Sequence, residues 1–388
     1  MSFFDRTPEP TTKLGRYRVL SPLAGVHVSP LALGAMSIGD KWQDIGMRMT
    51  KEDSFKLLDA YYDKGGNFID TANGYQDETS EQFIGEWAEK RGIRDQLFIA
   101  TKYTMGYKGA APLGQKVMYT GNNAKSLHIS VEDSLKKLRT SYIDLLYVHW
   151  WDWDTGIEEI MRSLHTLVLA RKVLYLGISD TPAWVVPKAN LYAREHALSP
   201  FVIYQGMWNV MERSFERDII PMARSEGLAL APWKVIGGGK FRTDEEEERR
   251  RQTGENGRPR HNTGWERNDK EKTVSKALEN VAAELGVKHI TAIAIAYVMQ
   301  KTTYVFPLVG GRKVEQLEAN IEALSISLSE AQMRYLESVV DFDIGFPMNT
   351  IGNDGGPRPL LSICAHLEQK PKLTPLRSTP DKELQVEL

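Results

Sequence analysis

The sequence predicts one (β/α)8 barrel. Three observations carry that expectation: eight short, continuously apolar runs, amphipathic stretches between them, and no Pro/Ser-rich linker dividing the chain into halves. A length of 388 residues accommodates two or three ordinary domains or one large barrel, and the regular alternation selects the barrel. The runs are Leu31–Ala35, Asn67–Ala72, Leu97–Lys102, Asp144–Trp150, Val173–Ser179, Phe201–Trp208, Leu228–Trp233 and Thr303–Val309. Each is apolar throughout rather than alternating, as strands buried on both faces require. A doubly wound open sheet would share the alternation, but no G-x-G-x-x-G follows the first run.

Residues 17–30 precede the first run, and Tyr17, Val19, Leu20, Val26 and Val28 predict a β-hairpin capping the barrel floor. Thr50-Lys-Glu-Asp53 reads as a helix start, Phe55, Leu58 and Tyr62 share one face, and Gly65-Gly66 supplies the stop. Ser130-Val-Glu-Asp133 is expected to open a further helix. Ile157, Ile160, Met161, Leu164 and Val168 follow the spacing of an amphipathic stripe. Other helices are predicted over 79–91, 182–196, 214–226, 273–285, 290–300, 313–324 and 329–339. Two segments exceed the barrel core at 17–340. The insertion 237–272 follows the seventh run and contains the charged stretch Thr243–Arg251. Such a stretch reads as a solvated helix or mobile loop, although loops of this length commonly serve a purpose such as a lid. The tail 341–388, rich in Pro and Gly, is expected over the barrel mouth or in solvent. The whole chain, 1–388, reads as a single domain.

Composition narrows the function classes. The 49 basic and 51 acidic residues leave a net charge of −2, which gives no electrostatic reason to expect nucleic acid or an anionic membrane. Hydrophobic residues at 41% and charged residues at 26% suit an ordinary globular core. Cys364 is the single cysteine, so neither an intramolecular disulfide nor a cysteine-based zinc site can form. The apolar stretch Ile290–Met299 is too short to span a bilayer. The first residues lack the apolar run of a signal peptide, and a cytoplasmic protein is expected. Oligomeric state stays open at this level.

In a parallel barrel the active face lies at the C-terminal ends of the strands. Four ionisable residues fall there: Asp70 and Tyr75 after the second run, Lys102 closing the third and His149 closing the fourth. Together they fit proton donation to a carbonyl. A phenol with an ordinary pKa of about 10 is a weak acid at neutral pH. A lysine cation beside it favours the phenolate, and a carboxylate keeps that lysine charged when buried. Asp70 is thus expected to orient Lys102, Lys102 to tune Tyr75, and His149 to hydrogen-bond a substrate oxygen. No set of His and carboxylate residues on several strand ends points to a metal.

The string Phe68-Ile-Asp70-Thr-Ala-Asn-Gly-Tyr75, followed by Lys102 and His149, resembles the aldo-keto reductase tetrad in order and spacing. The resemblance covers about 17–340 and continues through Gly177-Ile-Ser179-Asp180, Tyr204-Gln205, Trp208-Asn209, Pro232-Trp233 and Val309-Gly310-Gly311-Arg312. Trp150-Trp151-Asp152-Trp153, Asp180-Thr-Pro-Ala-Trp184 and Ala231–Lys240 are similar to the fungal aryl-alcohol dehydrogenase subgroup. The resemblance implies a nicotinamide cofactor across the mouth, with Ser179 and Gln205 on its carboxamide and Trp233 stacked on its ring. It implies Tyr75 as general acid in reduction and base in oxidation. Asp180 stands where much of the superfamily has Asn. An ionised carboxylate cannot donate to the carboxamide oxygen, so Asp180 must contact the amide nitrogen, be protonated, or point elsewhere.

The phosphate sites stand on their own chemistry. Gly237-Gly238-Gly239 lets backbone approach a diphosphate, or simply opens the long loop. Gly310-Gly311-Arg312-Lys313 leads into a helix carrying Gln316 and Asn320, and an arginine fork at a helix start suits the 2′-phosphate of NADP. The resemblance assigns Arg312, Gln316 and Asn320 to the adenosine end. Trp42, Trp150, Trp151, Trp153 and Trp208 follow strand ends and are expected around the mouth. Trp42 and Trp151 are candidate walls for a flat aromatic substrate. Trp87, in helical spacing with Phe83 and Ile84, is expected in the core. The sequence thus points to an NADP-dependent reductase of aromatic aldehydes, reversible toward the alcohol. The alternative is an NADP-binding regulatory subunit of the channel β-subunit type.

Overall fold

The computed structural model describes residues 7–44, 46–254, 264–353, 356–371 and 373–378. The hairpin comes first, with β1 (Arg18–Ser21) antiparallel to β2 (Ala24–Val28). The barrel strands are β3 (Ala32–Gly34), β4 (Phe68–Asp70), β5 (Phe98–Tyr103), β6 (Ile143–Val148), β7 (Val173–Ser179), β8 (Phe201–Met207), β9 (Ala229–Trp233) and β10 (Leu308–Val309). Among the described residues these eight run parallel in the order β10-β3-β4-β5-β6-β7-β8-β9. A parallel bridge between Leu230 and Val305, just before β10, closes the ring. Its bonds are Leu230 N–H to Tyr304 O and Phe306 N–H to Leu230 O, both 2.8 Å. The eighth strand is therefore shorter than the Thr303–Val309 run.

Helices cover the outside: α1 (Lys51–Asp63), α2 (Thr79–Arg91), α3 (Ala124–Lys137), α4 (Ile157–Leu169), α5 (Val185–Glu195), α6 (Ile219–Glu226), α7 (Asp244–Thr253), α8 (Asp269–Leu285), α9 (Ile290–Lys301), α10 (Val314–Ile321), α11 (Glu330–Ser338) and the one-turn α12 (Met348–Ile351). Local chemistry fixes their starts. Thr50 caps α1 by accepting from Asp53 N–H. The helix expected to open at Ser130 begins instead at Ala124, because Asn123 accepts from Ser126 N–H and Ser130 is an internal, buried residue. Ile157, Ile160, Met161 and Leu164 are the buried stripe of α4, each contributing about 1.5–3 kcal/mol by leaving water. α9 is buried along nearly its whole length, so its apolarity reflects core packing. No single helix among the described residues is long and apolar enough to cross a membrane.

Period-two alternation along the strands divides inside from outside. Ile69, Ile99, Leu146, Val148 and Ile178 face the helices in the larger core. Phe68, Phe98, Ala100, Leu145, Tyr147, Ile203, Ala229 and Ala231 share the inner core with Leu20, Ala24 and Val28 of the hairpin, which plugs the floor. Counting upward by two along each strand, the next inward positions are Asp70, Lys102, His149, Ser179, Gln205 and Trp233. The apolar lower layers end in one polar upper layer. Ladder register brings neighbours in that layer together, Ser179 opposite Gln205 and Met207 opposite Trp233.

The two segments beyond the barrel are partly ordered. The insertion after β9 contains α7, a folded helix where the charge run left helix or loop open. The described residues of the tail make contacts with the rest of the chain. Phe342 lies between the Arg213 and Arg217 guanidiniums at 4.7 and 5.0 Å, Arg377 donates to Leu328 O at 2.9 Å, and Lys13 donates to Ser378 Oγ at 2.9 Å.

Candidate active site at the barrel mouth

Asp70 and Lys102 are completely buried neighbours in the upper layer, and Lys102 Nζ donates to Asp70 Oδ1 and, at 2.7 Å, to Thr71 O. Gln205 Nε2 donates to Asp70 Oδ2 at 2.8 Å, so both carboxylate oxygens are engaged. Lys102 Nζ lies 5.1 Å from the centre of the Tyr75 ring. His149 stands edge-on to Tyr75 with 5.9 Å between ring centres. The structure thus assembles all four residues from two strands, the residue just past the end of β6 and one turn. Gln205 is part of this cluster through its Nε2, as well as the neighbour of Ser179.

The electrostatics follow from burial. Burial pulls the Lys102 ammonium down, but Asp70 and Tyr75 together lift it above its ordinary value. Burial pushes the Asp70 carboxyl up, with Lys102 and Gln205 opposing. For Tyr75, burial outweighs the lowering by Lys102, and the phenol sits above its ordinary value in the free protein. This corrects the expectation of a net depression. Lys102 limits the rise rather than reversing it, so the hydroxyl is held protonated as a donor. Burial, then Lys102, drive His149 well below its ordinary value, leaving a neutral imidazole.

Two buried polar atoms in this layer, Ser179 Oγ and His149 Nδ1, have no hydrogen-bond partner. Buried polar groups are normally satisfied, so such orphans at a mouth fit groups completed by a ligand. Asp180 follows Ser179 in the left-handed region, at φ 39°, and its Oδ1 accepts from Trp233 Nε1–H at 3.2 Å. Although the residue is largely open, the protein around its carboxylate pushes the group up to about 6, against lowering by Trp233 and Lys102. A carboxyl raised in the folded state binds its proton more tightly folded than unfolded. Stability is therefore lost as pH rises from the ordinary range to about 6. Asp180→Asn tolerates the same φ and carries no charge. Its melting temperature should exceed that of the parent by ~1 °C above pH 6 and match it near pH 4. A thermal melt series across that range checks the sign.

Beside the cluster lies a cleft of about 870 Å³ between the β9 and β10 ends. Lys234, Gly238, Gly239, Gly310, Arg312, Gln316 and Asn320 line one part, and Arg249, Arg250 and Trp265 of the insertion line another. Gly237, Gly238 and Gly239 all have positive φ, and a Cβ on Gly237 would come within 2.9 Å of the Phe241 ring. The triplet thus needs glycine for its path as well as for any ligand. Gln316 Oε1 accepts from Arg312 N–H at 2.8 Å, and the Arg312 guanidinium donates to Gly46 O at 2.9 Å, which swings it across the cleft.

The tryptophans separate. Trp42 is edge-on to Tyr75 at 6.2 Å, and Trp150 tilts over His149 at 4.7 Å. Trp151 is half-buried and packs against the main core. Trp153 is 68% exposed. Trp208, expected at the mouth, is fully buried and stacked on Phe215 at 5.4 Å, its indole N–H on Glu216. Trp87 is core, as its spacing requires. Sequence reasoning missed Asp152, whose carboxylate accepts from Asn122 N, Asp154 N, Thr155 N and Thr155 Oγ1 and shapes the Trp150–Trp153 turn. Only its position among tryptophans marked it.

Residues 30–341 match the model of the aldo/keto reductase family. The chain is 59% identical to the NADP(+) aryl-alcohol dehydrogenase of Phanerodontia chrysosporium, covering 97% of this chain and 99% of that protein. It is 56% identical to a putative aryl-alcohol dehydrogenase of Saccharomyces cerevisiae, over 90% and 93% of the two chains. With norsolorinic acid reductase A of Aspergillus parasiticus it shares 51% identity over 88% and 85%. The upper-layer geometry and these matches agree, and the chain belongs to the aldo/keto reductase family.

Proposed function

We propose that the protein is an NADP-dependent oxidoreductase that reduces aromatic aldehydes to aryl alcohols and catalyses the reverse oxidation. The observation that carries this reading is Tyr75 set against the buried Lys102–Asp70 pair with a neutral His149 beside it. Bound NADPH would supply the hydride that the carbonyl carbon accepts. Tyr75 gives its hydroxyl proton to the carbonyl oxygen, and Lys102 stabilises the phenolate left behind. A neutral His149 donates a hydrogen bond to the same oxygen without competing as a charge. In oxidation the Tyr75 phenolate takes the alcohol proton back. Ser179, Gln205 and Trp233 would hold the nicotinamide end, Gly237 and Gly238 the diphosphate, and Gly310, Arg312, Gln316 and Asn320 the adenosine end. The unpartnered Ser179 Oγ and the size of the cleft support that fit. Trp42 and Trp150 flank the acid and the histidine and favour a flat aromatic substrate; the names of the aryl-alcohol relatives agree with it.

The direct test follows NADPH absorbance with benzaldehyde. Aldehyde-dependent oxidation is expected. Its absence over a broad aldehyde panel, with NADPH demonstrably bound, would overturn the reading. Arg312→Leu should weaken NADPH binding by about tenfold to hundredfold, as loss of charge-assisted hydrogen bonds does, and leave NADH binding unchanged. Titration of intrinsic fluorescence with each nucleotide measures both.

A further inference from the structure

Directly after Tyr75, three residues in succession have positive φ: Gln76 at 53°, Asp77 at 46° and Glu78 at 80°. None is glycine, so the backbone is strained there and persists only where its surroundings over-determine it. Those surroundings are specific. Gln76 is completely buried. Its Nε2 donates to Met36 O and Met47 O, each at 3.0 Å, and its Oε1 accepts from Lys41 N at 3.1 Å and Trp42 N at 2.9 Å. Both amide hydrogens and both oxygen lone pairs are engaged, all with backbone of the loop after β3. Gly39 lies against it, where an added Cβ would come within 2.4 Å of Gln76 Cβ. Asp77 Oδ1 accepts from the Trp42 indole N–H at 3.2 Å. On the other side, Glu78 accepts from Lys108 Nζ at 2.8 Å and pairs with Lys137 at 3.1 Å. Lys137 Nζ also donates to Asn73 O at 2.9 Å.

We infer that Gln76 and Asp77 are positioning residues that fasten the turn carrying Tyr75 and the loop carrying Trp42 into one unit, Gln76 setting the place of the hydroxyl and Asp77 the plane of the indole. The inference rests on Tyr75 as the acid and Trp42 as a substrate wall. A shift of the turn moves the phenol away from the carbonyl oxygen, and because Met36, Gly46 and Met47 of the fastened loop line the cleft and Gly46 O holds Arg312, loosening the loop weakens the cofactor site to a lesser degree. A freed indole loses the aromatic contact alone.

The experiment compares Gln76→Met, Asp77→Ala and Asp77→Asn with the parent enzyme. Kinetics use benzaldehyde and propanal, NADPH binding is titrated directly, and amide exchange is followed in both loops. Gln76→Met, similar in length but without hydrogen bonds, should lower kcat with both aldehydes by about tenfold to hundredfold. Its NADPH dissociation constant should rise by a smaller factor than kcat falls, and exchange should accelerate in both loops together. Asp77→Ala, at an exposed position, should raise KM for benzaldehyde by about fivefold and leave propanal unchanged. Asp77→Asn keeps an acceptor and a residue suited to the left-handed region, and should behave as the parent. Parental kcat in Gln76→Met overturns the inference. So does faster exchange in one loop alone, or loss of NADPH affinity in step with kcat. If the parent reduces neither aldehyde, the functional reading falls, and the exchange result alone decides the fastening.

Discussion

Replacing Tyr75 with Phe is expected to lower kcat for aldehyde reduction by about 10²–10⁴-fold while leaving the NADPH dissociation constant within about twofold of the parent. The substitution removes one oxygen and keeps the ring that meets Trp42 and His149 edge-on. Lys102 retains Asp70 and Thr71 O, so no buried charge is stranded and the fold survives. The proton must then come from water, which no side chain left in the cluster replaces as the acid. Because burial outweighs Lys102 and holds the phenol above its ordinary value, the parent should carry the proton needed for reduction throughout the neutral range. Oxidation, which needs the phenolate, should quicken as pH rises toward that raised value. Stopped-flow hydride transfer in each direction over pH separates the two. Equal turnover in the Phe variant would remove Tyr75 from the chemistry.

Much of this arrangement is legible in the sequence because a parallel barrel couples strand order to site geometry. Once each run is placed as a strand, its last inward residue belongs to the mouth, and Asp70, Lys102, His149, Ser179 and Gln205 follow by counting in twos. What remained hidden depends on contacts between loops. Gln76 reads as an ordinary polar turn residue, and only the path of the loop after β3 reveals that its carboxamide serves four backbone groups. Trp208 misleads for the opposite reason: it lies one step beyond the inward Met207, so its side chain turns outward onto Phe215. The sign of the Tyr75 shift was hidden too, since sequence names the neighbouring cation but not the depth of burial. The insertion read as solvated charge because its partners are distant in sequence: Arg242, Glu247 and Arg267 meet only when its two limbs come together.

That meeting sets the second large effect. Glu247 is 4% exposed, and its Oε2 accepts from Arg242 Nε at 2.9 Å, Arg242 Nη2 at 2.7 Å and Arg267 Nε at 2.8 Å. Arg242 also donates to Gly239 O and Trp265 O, and stacks on the Trp265 ring at 5.1 Å. One carboxylate therefore joins the entering limb of the insertion to the leaving limb, under α7. Glu247→Ala leaves the nearly buried Arg242 guanidinium without its counter-charge and Arg267 with only the exposed Asp244, a change that costs about 3–5 kcal/mol when a buried pair loses one member. The cost falls on the insertion, which can open locally without dismantling the barrel. Trypsin should then cut after Arg249, Arg250 and Arg251 at least tenfold faster, while the main melting transition moves by less than about 2 °C. Because Arg249, Arg250 and Trp265 line the same cleft as Arg312, NADPH affinity should fall about tenfold. Arg251→Ala, which removes two exposed pairs, with Glu248 and Glu266, and its own cleavage site, should change neither the cutting rate after Arg249 and Arg250 nor NADPH affinity. Acid should imitate the Glu247 variant. Burial raises that carboxyl but the two arginines hold it below the ordinary glutamate range, so its contribution is present above that range and is lost as pH falls through the lowered value. An unchanged tryptic pattern in Glu247→Ala would mean that packing around Phe241 and Trp265, rather than the shared carboxylate, keeps the insertion closed.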